Sequence, residues 1–68
     1  MSVHRATILP LGSRWAVLAG FSQTLTEYGT EAEAINAARF ALSAIGGGEL
    51  LVKDRTGAIL YSEVFPPP

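Results

Sequence analysis

The longest regular pattern in the chain lies between Thr30 and Gly48. Ala34, Ile35, Ala38, Ala41, Leu42 and Ile45 recur at helical spacing, and at about 100° per residue they fall on one arc. That arc is expected to face a core, its alanines allowing close approach to a sheet. Asn36, Arg39 and Ser43 lie on the wet side. Phe40 falls with Ala37 and Ala44 nearly opposite the stripe, either as a lone exposed aromatic or as part of a small contact strip. Both ends are marked. Thr30 and Glu33 have capping-box spacing: the Thr30 hydroxyl accepts from the Glu33 amide, and the Glu33 carboxylate reaches back to the Thr30 amide. Glu31 and Glu33 also put negative charge at the positive end of the helix dipole. Gly46-Gly47-Gly48 stop the helix, since glycine takes the left-handed conformation that closes one.

Elsewhere the apolar positions alternate. Ala6–Pro10 and Arg14–Ala19 read as two strands joined through Gly12-Ser13, with glycine where positive φ is needed. A two-residue turn fixes the register, pairing Leu11 with Arg14, Leu9 with Ala16 and Ile8 with Val17. Pro10 donates no amide, so its strand is expected at an edge there. Thr24–Tyr28 alternates weakly and reads either as a short extra strand or as an extended lead into the helix. Phe21 and Tyr28 are expected to close one end of the core. Glu49–Lys53 and Ala58–Val64 form a second hairpin about Asp54-Arg55-Thr56-Gly57. Its simplest register pairs Val52 with Ile59, Leu50 with Tyr61 and Leu51 with Leu60, unless a glycine bulge at Gly57 shifts it.

The predicted fold is therefore α+β: an antiparallel sheet of two hairpins, in the order β-β-α-β-β, with one helix packed on one face. Residues 1–68 make a single domain with an ordered core over about 6–64, a loose lead-in at Met1–Arg5 and a proline-rich tail at 65–68. Trp15, Val17, Ile8, Leu50, Val52, Ile59 and Tyr61 are expected under the helix. The other face is left with Leu9, Leu18, Leu51 and Leu60, and one helix has nothing with which to cover it. Burying each such leucine is worth about 1.5–3 kcal/mol, which matters greatly to a chain this short. Self-association through the outer face would cover it, with a dimer interface of Leu9, Leu18, Leu51 and Leu60 and Phe40 as a further contact.

Composition sharpens this. Small domains draw on disulfides, metals or oligomerisation. There is no cysteine, and one histidine without a thiol excludes a structural zinc site in practice. Oligomerisation is left, and a hydrophobic content of 49% agrees. A net charge of −1 gives no broad attraction for nucleic acid or an anionic membrane. The N-terminal stretch lacks a sustained apolar region, and no run is long enough to span a bilayer, so a cytoplasmic protein is expected.

Candidate chemistry is sparse. His4 lies in the lead-in without a second ligand or an oriented pocket. Glu27, Glu31, Glu33, Glu49, Asp54 and Glu63 are accounted for as caps, turn residues and solvated positions, and the serines lack a neighbouring base. The triple glycine follows a helix, whereas phosphate cradles precede one. No catalytic residue, metal or cofactor is expected. The alternative to a protein-interaction module is a nucleic-acid-binding accessory protein using Arg5, Arg14, Lys53 and Arg55, with His4, as a cationic edge. Against it, the same residues form a solvated rim around the leucines, with no aromatic ladder beside them.

Taken together, Pro10 before a turn, Trp15-Ala16-Val17, Thr30-Glu31-Ala32-Glu33-Ala34-Ile35 through Ala38-Arg39, Gly46-Gly47-Gly48-Glu49-Leu50 and Lys53-Asp54-Arg55-Thr56-Gly57-Ala58-Ile59 form a pattern. It resembles the small bacterial proteins of domain of unknown function 2188 over roughly residues 6–61. The resemblance implies a strand–strand–helix–strand–strand domain and no activity, because the family brings no assigned catalytic or binding residues. The helix segment is also similar to the corresponding part of HicB-type antitoxins. Phe40 and the Leu9/Leu18 pair depart from the more polar residues expected at such places.

Overall fold

The computed structural model describes residues 4–20 and 24–65. Their elements are β1 (Arg5–Leu11), β2 (Arg14–Ala19), β3 (Thr24–Tyr28), α1 (Glu31–Ala44), β4 (Gly48–Lys53) and β5 (Ile59–Phe65). The strands form one sheet in the order β3-β2-β1-β4-β5. Met1–Val3, Phe21 and the Pro66–Pro68 tail lie outside the described residues, and Arg5, expected in the lead-in, belongs to β1.

The first hairpin has the register its turn dictates. Leu11 pairs with Arg14, Leu9 with Ala16 and Ile8 with Val17, and Gly12 takes φ 63. β1 is the central strand rather than an edge. Its pairing with β4 nevertheless ends at Ile8, so no β4 partner lies opposite Pro10. Thr24–Tyr28 is a true strand, with Trp15 opposite Tyr28 and Leu18 opposite Leu25. Threonine and tyrosine at alternate positions suit a half-buried pleated surface.

That extra strand corrects the expected topology: the sheet is mixed, not purely antiparallel. Two strands before the helix would deliver β4 antiparallel to β1. A third strand brings the chain to the opposite end of the sheet, and the helix then carries it back. β4 consequently lies parallel to β1, with Arg5–Ile8 beside Glu49–Val52. Parallel neighbours need a crossover of this kind, usually a helix.

The helix ends follow the expected signals with one change. The Glu33 amide donates to Thr30 Oγ1 at 3.1 Å, and the Thr30 hydroxyl, rather than its amide, donates to Glu33 Oε1. At the other end the Gly47 amide donates to the Leu42 carbonyl at 2.8 Å and the Gly46 amide to Ser43 at 3.3 Å. These are the paired bonds of a Schellman motif, and Gly46 supplies the positive φ of 95. Gly48 then enters the sheet so closely that a Cβ there would lie 2.5 Å from the His4 carbonyl oxygen and 2.8 Å from Leu42 Cδ2.

The second hairpin departs from its simplest register in two steps. The Gly57 amide donates to the Asp54 carbonyl and the Asp54 amide to Ala58, with Gly57 at φ 89. Arg55, Thr56 and Gly57 thus make a longer loop, which moves Ile59 opposite Lys53. A bulge between Val52 and Lys53 then brings Val52 opposite Tyr61, Leu50 opposite Glu63 and Leu51 opposite Ser62. Each one-residue step reverses the faces, so two steps restore them beyond the bulge. Tyr61 keeps its helix-side place. Ile59 moves to the outer face, and Leu60 lines the helix side with Tyr61.

Ala6, Ile8, Val17, Ala34, Ala38, Leu42, Leu50 and Val52 form the buried core, with Trp15, Tyr28 and Ile35 packed against it. Ile45 does not complete the helix stripe. It is the C-cap and is exposed. The helix packs mainly on β1, β2, β3 and β4 and reaches β5 through Arg39.

Candidate interaction surface

The outer face of the sheet carries one row across all five strands: Leu25, Leu18, Thr7, Leu51 and Ser62, each in register with the next. Ala16 and Leu9 stand beside it as a cross-strand pair. Exposure is uneven across this face. Leu25 and Leu18 are 54% and 45% exposed, whereas Leu51 and Ala16 are already buried by their neighbours. No described element covers this face.

Of the residues expected at an interface, Leu9, Leu18 and Leu51 share the outer face. Leu60 does not: the bulge turns it to the helix side. Phe40, 79% exposed, stands on the far side of the helix. The structure thus brings three of the five together. Leu25 joins them because Thr24–Tyr28, which reads either as a strand or as a lead into the helix, pairs with β2; its place between Thr24 and Thr26 is the signal in the sequence. Ile59 and Val64 also extend the apolar area along β5. For Val64 the register opposite Glu49 decides this.

Charge on this face is largely neutralised locally. Arg5 Nε lies 2.9 Å from Glu49 Oε1, and Arg14 Nε lies 3.2 Å from Glu27 Oε1. Arg55 donates to the Gly12 carbonyl at 3.1 Å, which ties the two hairpin turns together. Three of the four expected cations, Arg5, Arg14 and Arg55, are thus held by partners within the chain, and Lys53 is the fourth. These exposed pairs orient side chains more than they stabilise the fold.

On the helix side, β5 and α1 are joined by polar contacts. Arg39 donates to Glu63 Oε1 through Nε at 3.2 Å and Nη2 at 3.1 Å, and the Tyr61 hydroxyl donates to the same oxygen at 2.7 Å. The Tyr61 hydroxyl bond and then Arg39 hold the Glu63 carboxyl below its ordinary range. In the turn, Asp54 Oδ1 accepts from the Thr56 hydroxyl and from the Thr56 and Ala58 amides. The Thr56 hydroxyl contributes most to lowering the Asp54 pKa. Between α1 and β5 runs a groove of about 360 Å³ lined by Glu31, Ile35, Arg39, Val52, Leu60 and Tyr61.

Among the described residues, no three histidine or carboxylate side chains group as a metal site requires. No helix is long and apolar enough to cross a membrane among those residues. A search of the curated proteins finds no match to the chain, and a search of the solved structures finds none. The likeness of the helix to HicB-type antitoxins draws no support from these comparisons. The family model described as an uncharacterised protein conserved in bacteria, DUF2188, matches residues 7–62. The chain, with that span of strands and helix, belongs to this family.

Proposed function

We propose that this protein is a non-catalytic interaction module that self-associates through the outer face of its sheet. The observation that carries the reading is the row Leu25–Leu18–Thr7–Leu51, set in register on a face that no described element covers. Five strands spaced by about 4.8 Å and about 20 Å long offer roughly 480 Å². Two stacked copies then cover on the order of 1,000 Å², the lower bound for a specific interface. Locally paired charges suit this use, because they leave no strong field to repel an identical face. The same pairing weakens the alternative of a nucleic-acid accessory protein, since Arg5 and Arg14 already have carboxylate partners.

Sedimentation velocity across a concentration series tests the reading. The wild type is expected to shift from monomer to dimer, and Leu18→Glu with Leu25→Glu to remain monomeric. A wild type that stays monomeric at the highest concentration removes the proposal. The alternative is checked by the mobility of labelled single- and double-stranded oligonucleotides at low salt, where the paired arginines predict no shift.

A further inference from the structure

We infer that the free edge of β5 and the groove beside it receive an extended segment of another protein, one with apolar side chains and a lysine or arginine. β5 ends the strand order, so its outer backbone edge has no strand partner among the described residues. Such an edge is a template for strand addition. Its own sequence, ILYSEVF, contains no lysine, arginine or proline; its one charge, Glu63, is held by Arg39, and its bulge lies at the Leu60 end, leaving Ser62–Phe65 regular. Leu60 is 61% exposed on the groove side, and Val64 is 73% exposed on the opposite face of the strand.

The bulge gives the second argument. It turns Leu60 toward the groove without burying it in the core, so its benefit is not core packing. Bulges often re-aim a side chain beside a binding site. Here Leu60 and Tyr61, consecutive in the chain, both line the groove with Ile35 and Val52. The groove is open alongside a strand, which suits an added backbone with alternate side chains directed inward.

Charge chooses the occupant. Arg39 is paired with Glu63, whereas the Glu31 carboxylate at the groove has no side-chain partner among the described residues. Its place in the first helical turn explains its tolerance there but leaves its outward charge available to a cation. A second copy's β5 has no basic residue to supply that cation. Arg5, Arg14 and Lys53 lie in strands internal to the sheet, and Arg55 lies in a turn, bonded to the Gly12 carbonyl. A segment from a different protein fits the charge better than any of these.

A random peptide library displayed on phage, panned against the whole chain, tests this surface apart from the sheet face. Enriched peptides are expected to alternate apolar residues and to carry lysine or arginine. By fluorescence polarisation, Leu60→Glu should weaken the selected peptides about tenfold or more, the scale of one buried apolar side chain. Glu31→Lys should also weaken them, with Ser43→Lys as the surface control and circular dichroism checking the fold of each variant. Hydrogen exchange should show new protection in β5 amides. Failure to enrich, binding indifferent to both Leu60 and Glu31, or protection confined to β3 would overturn the inference. So would loss of self-association in Leu60→Glu without peptide, because the occupant would then be a second copy.

Discussion

The two hairpins differ in how firmly their turns hold them. Gly12-Ser13 closes β1 and β2 with no spare residue, and the strands lie in the middle of the sheet beneath the helix. The loop at Arg55, Thr56 and Gly57 closes β4 and β5 with slack, a bulge follows, and β5 extends past the helix. Both strands of the first hairpin supply core residues, whereas in the second only β4 does and β5 ends the strand order. Where backbone and packing both constrain a strand, its side chains serve stability. Once one constraint is relaxed, the same kinds of side chain are available for recognition.

The sharpest way to break this comparison is to shorten equivalent side chains in each hairpin. Ile8→Ala, at a fully buried site, should lower stability by about 2–5 kcal/mol in urea denaturation. Leu60→Ala should change it by less than about 0.5 kcal/mol. Equal losses would mean that β5 belongs to the core after all. Next comes Gly48→Ala, whose added methyl meets the His4 carbonyl and Leu42. We expect a loss of about 1–3 kcal/mol by the same measurement, and a neutral result would show that the β4 entry has room to move. Thr30→Ala removes the acceptor for the Glu33 amide and should cost about 1 kcal/mol, read as a lower Tm.

The smallest effect is with acid. Glu63 and Asp54 titrate below their ordinary values of 4.5 and 3.8, so the unfolded chain takes up their protons first as pH falls. Their contribution is present above those values and is lost as pH drops through the lower folded-state values. Tm should therefore decline on acidification. Glu63→Gln and Asp54→Asn should each flatten that decline, and variants with the wild-type slope would assign it to other groups.

Much of the helix was legible because its signals are local. Thr30, the Ala34–Ala38–Leu42 stripe and the glycine stop act within a few residues of chain. The Gly12-Ser13 register was equally legible, for a two-residue turn leaves no freedom. Leu60 was misplaced for the opposite reason: loop slack and bulge position depend on how β4 and β5 settle against the helix. Leu25 was missed because a weakly alternating segment becomes a strand only when Leu18 and Trp15 stand opposite it.

The chain by itself determined that one capped helix would cover one face of a small sheet, because capping, turn chemistry and periodicity act at short range. It also determined that more apolar surface would form than this helix covers. Tertiary structure decided which residues form that surface. Recruiting β3 reversed the direction in which the chain crosses back, making β4 parallel to β1. The bulge then divided the apolar residues of β5 between two faces. Both outcomes come from pairings between distant segments, whose energies depend on which neighbours share the sheet.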